Sequence, residues 1–183
     1  MCKLQYKKNI EPKILSEFLL NLNKKILDNF TYFGKINPKN VNDIVNIELK
    51  RKDKIKFFVI LDNELIGYSF LTKFVKSEKK HNCTLGIVLD TQFQNKGYGK
   101  EICQHMIKSA WQKKMEKIWL VVYEKNKNAI KLYKSLGFIP EGVFYNDEII
   151  KKKKVNVISM ALFKNKKINF EKHIKILNDI EKL

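Results

Sequence analysis

The chain has 183 residues, enough for one domain with a full hydrophobic core and too few for two comfortable ones. It contains no run of the roughly 18 uncharged apolar residues that span a bilayer, and its first residues, MCKLQYKKNIEPK, include no apolar signal segment. Three widely spaced cysteines, Cys2, Cys83 and Cys103, form no CxxC pair, which argues against a disulfide framework and against a zinc site. We therefore expect a cytoplasmic protein that binds no metal and no membrane.

The net charge is +18, from 37 basic and 19 acidic residues. A balance this basic raises nucleic acid as a partner. However, Arg51 is the one arginine, and the lysines accompany abundant Asn and Ile, whose codons are also rich in A and T. A protein that reads nucleic acid would also use the arginine fork on guanine and phosphate. We therefore predict that the charge is incidental to function and that the chain binds no nucleic acid.

The first two predicted elements are amphipathic helices. The segment EPKILSEFLLNLNKKILDNF has Pro12 near its start and a set of apolar residues at helical spacing. That set is Ile14, Leu15, Phe18, Leu19, Leu22 and Ile26. In NPKNVNDIVNIELKRK, Asn37 is placed to cap a second helix and Pro38 to occupy its first position.

Strands and helices alternate in the rest of the chain. IKFFVIL and LIGYSFLTKFV, joined by a short polar turn, predict an antiparallel hairpin, and NCTLGIVLD predicts a third strand. GYGKEICQHMIKSAWQKK predicts a helix, KIWLVVY a buried central strand, and KNAIKLYKSLGF a short helix that Gly137 ends. IPEGVFY and VNVISMALF predict two last strands. The predicted order is ααβββαβαββ, a mixed α/β fold around one sheet.

The turn QNKGYGK joins a predicted strand to a predicted helix and carries two glycines and two lysines. A dinucleotide-binding fingerprint would need a glycine where the chain has Ile102. A P-loop would need a glycine at Gln94 and a serine or threonine at Glu101. The first-turn amides of the helix and its dipole nevertheless favour an anion, and glycines let that anion approach the backbone. The turn therefore predicts an anionic ligand held mainly by main-chain groups.

Two motifs together resemble the GNAT superfamily of N-acetyltransferases. The pattern Q-x-x-G-x-G, formed by Gln94, Gly97 and Gly99, is similar to the acyl-CoA signature of that family. About thirty residues later, EKNKNAIKLYKSLGFIPEG is similar to the second half of the signature. The residues that match there are Asn126, Asn128, Ala129, Tyr133, Gly137 and Phe138. The likeness covers roughly residues 54 to 163.

The resemblance implies a mostly antiparallel central sheet flanked by helices, with acetyl-CoA as co-substrate and no metal. It places the acetyltransferase domain at residues 1–163 and makes residues 164–183 a helical extension of that domain. In the family, the co-substrate lies between the strand before the turn and the strand after the next helix. The residues that this implies for acetyl-CoA binding are Ile87, Leu89, Gln94, Asn95, Lys96, Gly97, Tyr98, Gly99, Lys100 and Asn128.

The resemblance also implies direct attack by an amine in a ternary complex. Tyr133 takes the position of the acid that protonates the departing thiolate, although an amphipathic core tyrosine is the alternative. Many members carry a glutamate early on the third strand, where this chain has HNCT, so no base is assigned. Cys83 is expected to be a small buried hydrophobe, and His81, despite its suitable pKa, is more typical of a surface histidine at a strand end. Glu78 and a water chain stay open as bases.

The acceptor is expected to be a small-molecule amine such as an amino sugar, a polyamine or an amino-acid derivative. A protein N-terminus or lysine is the alternative acceptor, and an acyl-CoA-binding module without turnover is a further alternative. The first two helices and the loop after Tyr145 are expected to form the acceptor pocket. The last segment, KNKKINFEKHIKILNDIEKL, predicts a helix with one apolar stripe, which fits either packing on its own domain or a homodimer contact.

Overall fold

The computed structural model describes residues 3–165. Its elements are β1 (Gln5–Lys7), α1 (Pro12–Asn21), α2 (Lys24–Asn29), α3 (Val41–Lys50), β2 (Lys54–Leu61), β3 (Glu64–Lys73), β4 (Asn82–Leu89), α4 (Tyr98–Gln112), β5 (Lys117–Tyr123), α5 (Lys127–Ser135), β6 (Ile139–Ile150) and β7 (Lys153–Phe163). Within these residues the strands form a seven-stranded sheet in the order β1-β2-β3-β4-β5-β7-β6. Every neighbouring pair is antiparallel except β4 and β5. The predicted mixed α/β fold is confirmed.

The N-terminal helices differ from the prediction. The segment predicted as the first helix forms two helices, α1 and α2. The chain is extended at Leu22, and the side chain of Asn23 accepts a hydrogen bond from the Lys25 amide at the start of α2. Ile14, expected on the inner face, is exposed. The second predicted helix starts at Val41, because Asn37 and Asn40 bond to nearby amides in a turn. Side chains that compete for the backbone in this way delay the start of a helix.

The N-terminal end of the chain departs from the predicted order, and the prediction for the C-terminal end is not tested. The sequence pattern missed β1, a three-residue edge strand that pairs with β2. A strand this short has too few residues to show alternation. The predicted helical extension lies almost entirely outside the described residues, as does Cys2. Its packing, and the homodimer contact suggested for it, stay predictions.

The sheet has a core on each face, because alternate residues of each strand point to opposite sides. We call the side packed by α4 and α5 the α4 face; Phe57, Val59 and Tyr133 belong to its core. The side packed by α1, α2 and α3 is the α1 face, and Phe58 and Ile60 belong to its core. The predicted helices therefore enclose the sheet from both sides.

Strands β4 and β5 separate along their length. They pair only at Asn82 with Lys117, Cys83 with Ile118, and Thr84 with Trp119. Beyond Thr84 each strand keeps its other neighbour, β3 for β4 and β7 for β5, so the sheet itself holds the two apart. The result is a gap through the sheet between residues 85–89 and 120–123.

Candidate active site

A cavity of about 1140 Å³ occupies this gap. It is reached from the α4 face, where the glycine turn and α5 lie, and from the α1 face, where α2 lies. Residues from the sequence-predicted set that line it are Ile87, Leu89, Gln94, Asn95, Gly97, Gly99, Lys100, Asn128 and Tyr133. Two widely separated parts of the sequence thus meet on one cavity.

The glycine turn presents main-chain donors to open space. Gly97 precedes the first residue of α4 and has a φ of +87°, in the left-handed region that favours glycine. A Cβ atom at Gly97 would meet nothing within 4 Å, and one at Gly99 would meet only Leu132 Cδ2, at 3.4 Å. The amides of residues 95–99 donate to no acceptor among the described residues. Free amides at a helix N-terminus form an anion-binding site.

The structure narrows the part of the turn that can hold an anion. The amide of Gln94 donates to Thr91 O at 3.2 Å, and the amide of Lys100 donates to Gly97 O at 3.0 Å. The two end amides of the predicted set are therefore already bonded within the chain. Lys96 and Tyr98 do not line the cavity, whereas Asn95, Gly97 and Gly99 between and beside them do.

The Gln94 side chain supports the turn. Its Nε2 donates to Leu89 O at 2.9 Å and so ties the turn to the end of β4. This bond gives the glutamine of the Q-x-x-G-x-G pattern a structural role that the sequence did not reveal.

The wall formed by β4 presents backbone groups to the gap. The Asp90 amide donates to Ile66 O, so the even-numbered residues of this strand direct their main-chain groups to β3. Ile87 and Leu89 alternate with these residues, so their main-chain groups point toward the gap, where β5 is no longer paired with β4. The Ile87 groups and the Leu89 amide are thus placed to pair with an extended ligand, as an added strand would.

Helix α5 brings three predicted residues to the opposite side of the gap. Asn126 caps the helix by accepting a hydrogen bond from the Ala129 amide, and Asn128 follows on its exposed first turn. The buried ring of Tyr133 lines the cavity and packs against Phe138. Its hydroxyl makes no hydrogen bond with any described residue, and burial raises its pKa well above the ordinary value. The phenol therefore stays protonated and can donate to a ligand.

Aromatic rings line the α1-face end of the cavity. They are Phe30, Tyr32 and Phe70. Phe70 lies 4.6 Å from the ring of Tyr32 and is held against Gly86 of β4, where a Cβ atom would come within 2.3 Å of it. Gly86 is therefore needed for close packing, which the sequence pattern did not show.

A buried polar cluster behind these rings fixes Tyr32. The carboxylate of Glu48 accepts hydrogen bonds from Tyr32 at 2.9 Å and from Tyr68, and forms an ion pair with Lys54 at 2.9 Å. The Lys54 ammonium also lies 3.7 Å from the centre of the Tyr32 ring. Burial lowers the pKa of Lys54 to about 8, against the raising effect of Glu48. No sequence pattern indicated that Glu48 is buried, and only the fold shows it.

Two further polar residues that line the cavity, Tyr123 and Glu148, were not predicted from the sequence. The hydroxyl of Tyr123, at the end of β5, donates a hydrogen bond to the carboxylate of Glu148 on β6. The loop expected after Tyr145 is strand β6, with a register shift between Phe144 and Glu148, and α1 does not line the cavity. Of the elements expected to form the acceptor pocket, α2 and β6 line the cavity, together with the turn after α2 and the ends of β3 and β5.

The residues considered as bases lie elsewhere. Glu78 and His81 are exposed and do not line the cavity. Cys83 is fully buried, as predicted, and burial raises its pKa to about 12. Residues 3–165 contain no cluster of three or more His, Cys, Asp or Glu side chains that could hold a metal ion. No helix among them is long and apolar enough to cross a membrane.

Comparison with known proteins identifies the class that this fold and site define. Residues 25–138 match the Acetyltransferase (GNAT) family model. This is more than half of the chain, so the chain belongs to the GNAT acetyltransferase family.

Two curated relatives match part of the chain. The L-amino acid N-acetyltransferase AaaT of Escherichia coli (strain K12) is 29% identical over 84 residues, 45% of this chain and 51% of the relative. The [ribosomal protein bS18]-alanine N-acetyltransferase of Salmonella typhimurium is 29% identical over 108 residues, 59% of this chain and 61% of the relative. The chain thus spans between half and two thirds of the length of these relatives.

Solved structures share the fold over nearly the whole described chain. A GNAT-family acetyltransferase from Streptococcus pneumoniae superposes with a TM-score of 0.71 at 22% identity, covering 89% of this chain and all of that one. The spermidine N-acetyltransferase of Vibrio cholerae, crystallised with CoA and spermine, superposes with a TM-score of 0.74 at 20% identity, covering 87% and 95%. At this identity the likeness shows the fold alone.

Proposed function

We propose that this chain transfers an acetyl group from acetyl-CoA to a primary amine, by direct attack in a ternary complex. The observation that carries the proposal is the row of five unbonded amides, residues 95–99, at the end of a gap that passes through the sheet. When an anionic group is bound at the turn, the gap remains available to an extended arm of the same ligand. The arm would lead to the aromatic pocket on the other face of the sheet.

The residues present fit acetyl-CoA. Its diphosphate needs main-chain donors that no Cβ atom obstructs. Gly97 and Gly99 have no Cβ atom and leave the space beside these amides open. Its amide-containing arm needs extended backbone to pair with, which Ile87 and Leu89 supply. Lys100 also lines the cavity and adds positive charge near the turn. The co-substrate supplies an activated thioester, and the chain supplies its orientation.

Tyr133 is the residue that we propose protonates the departing sulfur. Tyr133 lines the cavity, and its hydroxyl has no partner among the described residues and stays protonated because burial raises its pKa. The acid in such a transfer must hold its proton until the C–S bond breaks. Most buried hydroxyls in proteins have a hydrogen-bond partner, so the lack of one at Tyr133 is consistent with a ligand as the partner.

We propose a small-molecule amine as the acceptor. Asp28 of α2, which lines the cavity, forms an ion pair with Lys151 and so links α2 to the β6–β7 turn at the α1-face end. One relative is named for L-amino acids and one structural neighbour for spermidine, which are both small amines. The relative named for a ribosomal protein keeps a protein N-terminus as the second candidate.

The test is release of free thiol from acetyl-CoA against a panel of amino acids, polyamines, amino sugars and N-terminal peptides. We expect turnover with at least one small amine and none without acceptor. Tight CoA binding without turnover on any member of the panel would instead favour the binding-module alternative. Turnover confined to the peptides would move the acceptor to proteins.

A second test separates the glycine turn from general stability. Gly99→Val should weaken CoA binding in calorimetry, because its side chain enters the space open to the diphosphate. Gly97→Val is a poorer probe, because a valine at φ +87° is strained whatever binds. Gly142→Val is the matched control, since a Cβ atom there meets nothing within 4 Å and Gly142 does not line the cavity. Equal CoA affinity in the Gly99 and Gly142 variants would contradict the assignment.

A further inference from the structure

The acceptor end of the cavity contains the one arginine of the chain. Arg51 is the residue that ends α3, and it lines the cavity together with Tyr32. The ammonium of Lys56 donates hydrogen bonds to the carbonyl oxygens of Glu48, Leu49 and Arg51, at 2.9, 2.6 and 3.1 Å. These bonds fix the last turn of α3 against β2. The main chain of Arg51 therefore has a defined position beside the cavity.

Two side chains orient the guanidinium of Arg51. Its Nε and Nη2 donate to the two carboxylate oxygens of Asp53, and its Nη1 donates to the Tyr32 hydroxyl at 3.0 Å. A guanidinium has five N–H donors, so one on Nη1 and one on Nη2 have no partner among the described residues. Of the ion pair, Arg51 lines the cavity and Asp53 does not. The two remaining donors are therefore available to a ligand.

The aromatic rings at this end already hold a cation of the protein. The Lys54 ammonium lies 3.7 Å from the centre of the Tyr32 ring and 3.8 Å from that of the Phe70 ring. Rings of this kind bind the ammonium groups of ligands through the same attraction. Glu48 balances the charge of Lys54, but the ring faces nearest to the ammonium stay occupied. These two rings thus offer a cationic ligand less than an empty aromatic pocket would.

The charged residues around the cavity are mostly basic. Among the described residues, its cations are Lys25, Arg51, Lys100, Lys125 and Lys127, and its carboxylates are Asp28 and Glu148. Asp28 is paired with the ammonium of Lys151. A polyamine carries several ammonium groups and would meet repulsion from this lining, whereas an acceptor that also carries an anionic group would be attracted.

We propose that the acceptor is a primary amine that carries a carboxylate, and that Arg51 binds this carboxylate through its two remaining N–H donors. The inference rests on the proposed function and names its substrate class. Two N–H groups on neighbouring nitrogens match the two oxygens of one carboxylate, and such charged bonds are stronger than neutral ones. Tyr32 and Asp53 hold the guanidinium in place. Amino acids have this chemistry, and polyamines do not.

The first experiment compares acceptors that differ only in the carboxylate. Thiol release is measured with α- and ω-amino acids, with the amide and the decarboxylated amine of each, with spermidine and with an N-terminal peptide. The kcat/KM of the best amino acid should exceed that of its amide and of its decarboxylated amine by about 10- to 100-fold, the usual size of a hydrogen bond to a charged group.

The second experiment measures the ratio of kcat/KM for that amino acid and its amide in variants. Arg51→Gln should bring the ratio close to one, and Arg51→Lys should give an intermediate ratio, because lysine keeps the charge and loses the paired donors. Tyr32→Phe should reduce the ratio less than Arg51→Gln. Lys52→Gln is the matched control, since Lys52 is the exposed neighbour, carries the same charge and does not line the cavity.

The ratio separates binding of the carboxylate from a structural role. Loss of folded protein lowers the rate with both acceptors equally and leaves the ratio unchanged. Equal kcat/KM for the amino acid and its amide in the wild type, a preference for spermidine or the peptide, or an unchanged ratio in Arg51→Gln would overturn the inference while the turnover itself supports the proposed function. A wild type that acetylates no amine would overturn both.

Discussion

The perturbation with the largest expected effect on the fold is Glu48→Gln. Its carboxylate is buried and holds the Lys54 ammonium and the hydroxyls of Tyr32 and Tyr68. The side chains of the ion pair are 0% and 4% exposed, so water cannot replace the lost charge. Removing one partner of a buried ion pair typically costs roughly 3–5 kcal/mol of unfolding free energy. At roughly 2–4 °C per kcal/mol for a domain of this size, Tm should fall by about 6–20 °C.

Urea unfolding followed by circular dichroism measures this loss. The matched control is Glu17→Gln, which breaks the exposed ion pair with Lys13 and should cost at most about 0.5 kcal/mol. Replacing Glu48 and Lys54 together by methionine should cost less than the sum of the two single changes, because neither charge is left alone. A Glu48→Gln loss below about 1 kcal/mol, with an unchanged m-value, would refute the reasoning that this pair is desolvated.

Three further predictions concern single groups. Tyr133→Phe should lower kcat by about 10²-fold or more with CoA affinity nearly intact, and full kcat with chemistry rate-limiting would show that another acid acts. Burial lowers the pKa of His105, whose Nε2 has no partner among the described residues, so the unfolding free energy should decline below about pH 6.5, where the unfolded chain takes up a proton that the folded chain resists. His105→Phe should flatten that decline in urea titrations at several pH values, and an unaltered slope would contradict it. Cys83 and Cys103 are buried, and the pKa of each thiol is raised to about 12, so peptide mapping of iodoacetamide-treated native protein should find both unmodified; rapid labelling of either would show that its core opens.

Much of the fold could be predicted because its signals are local. The hairpin of β2 and β3 follows from two β-rich runs on either side of Asp62 and Asn63, which both adopt the positive φ that such a turn requires. The end of α5 follows from Gly137, whose φ is +89°. The glycine turn was also readable, because a strand, a glycine pair and a helix follow one another within a few residues. Each of these features depends on residues that are close together in the sequence.

The chemistry of the acceptor end depended on residues far apart in the sequence. Gly86 is required only because the Phe70 ring of the neighbouring strand occupies the space of its side chain. Glu48 is buried only because α3 packs its polar position over Tyr68. Glu148 meets Tyr123 across the intervening strand β7. The sequence by itself determined most of the elements, the glycine turn and the family resemblance, since periodicity, turn residues and motif spacing act along the chain. The tertiary structure alone decided which side chains share the cavity, because the partners of a buried polar group are set by packing between elements.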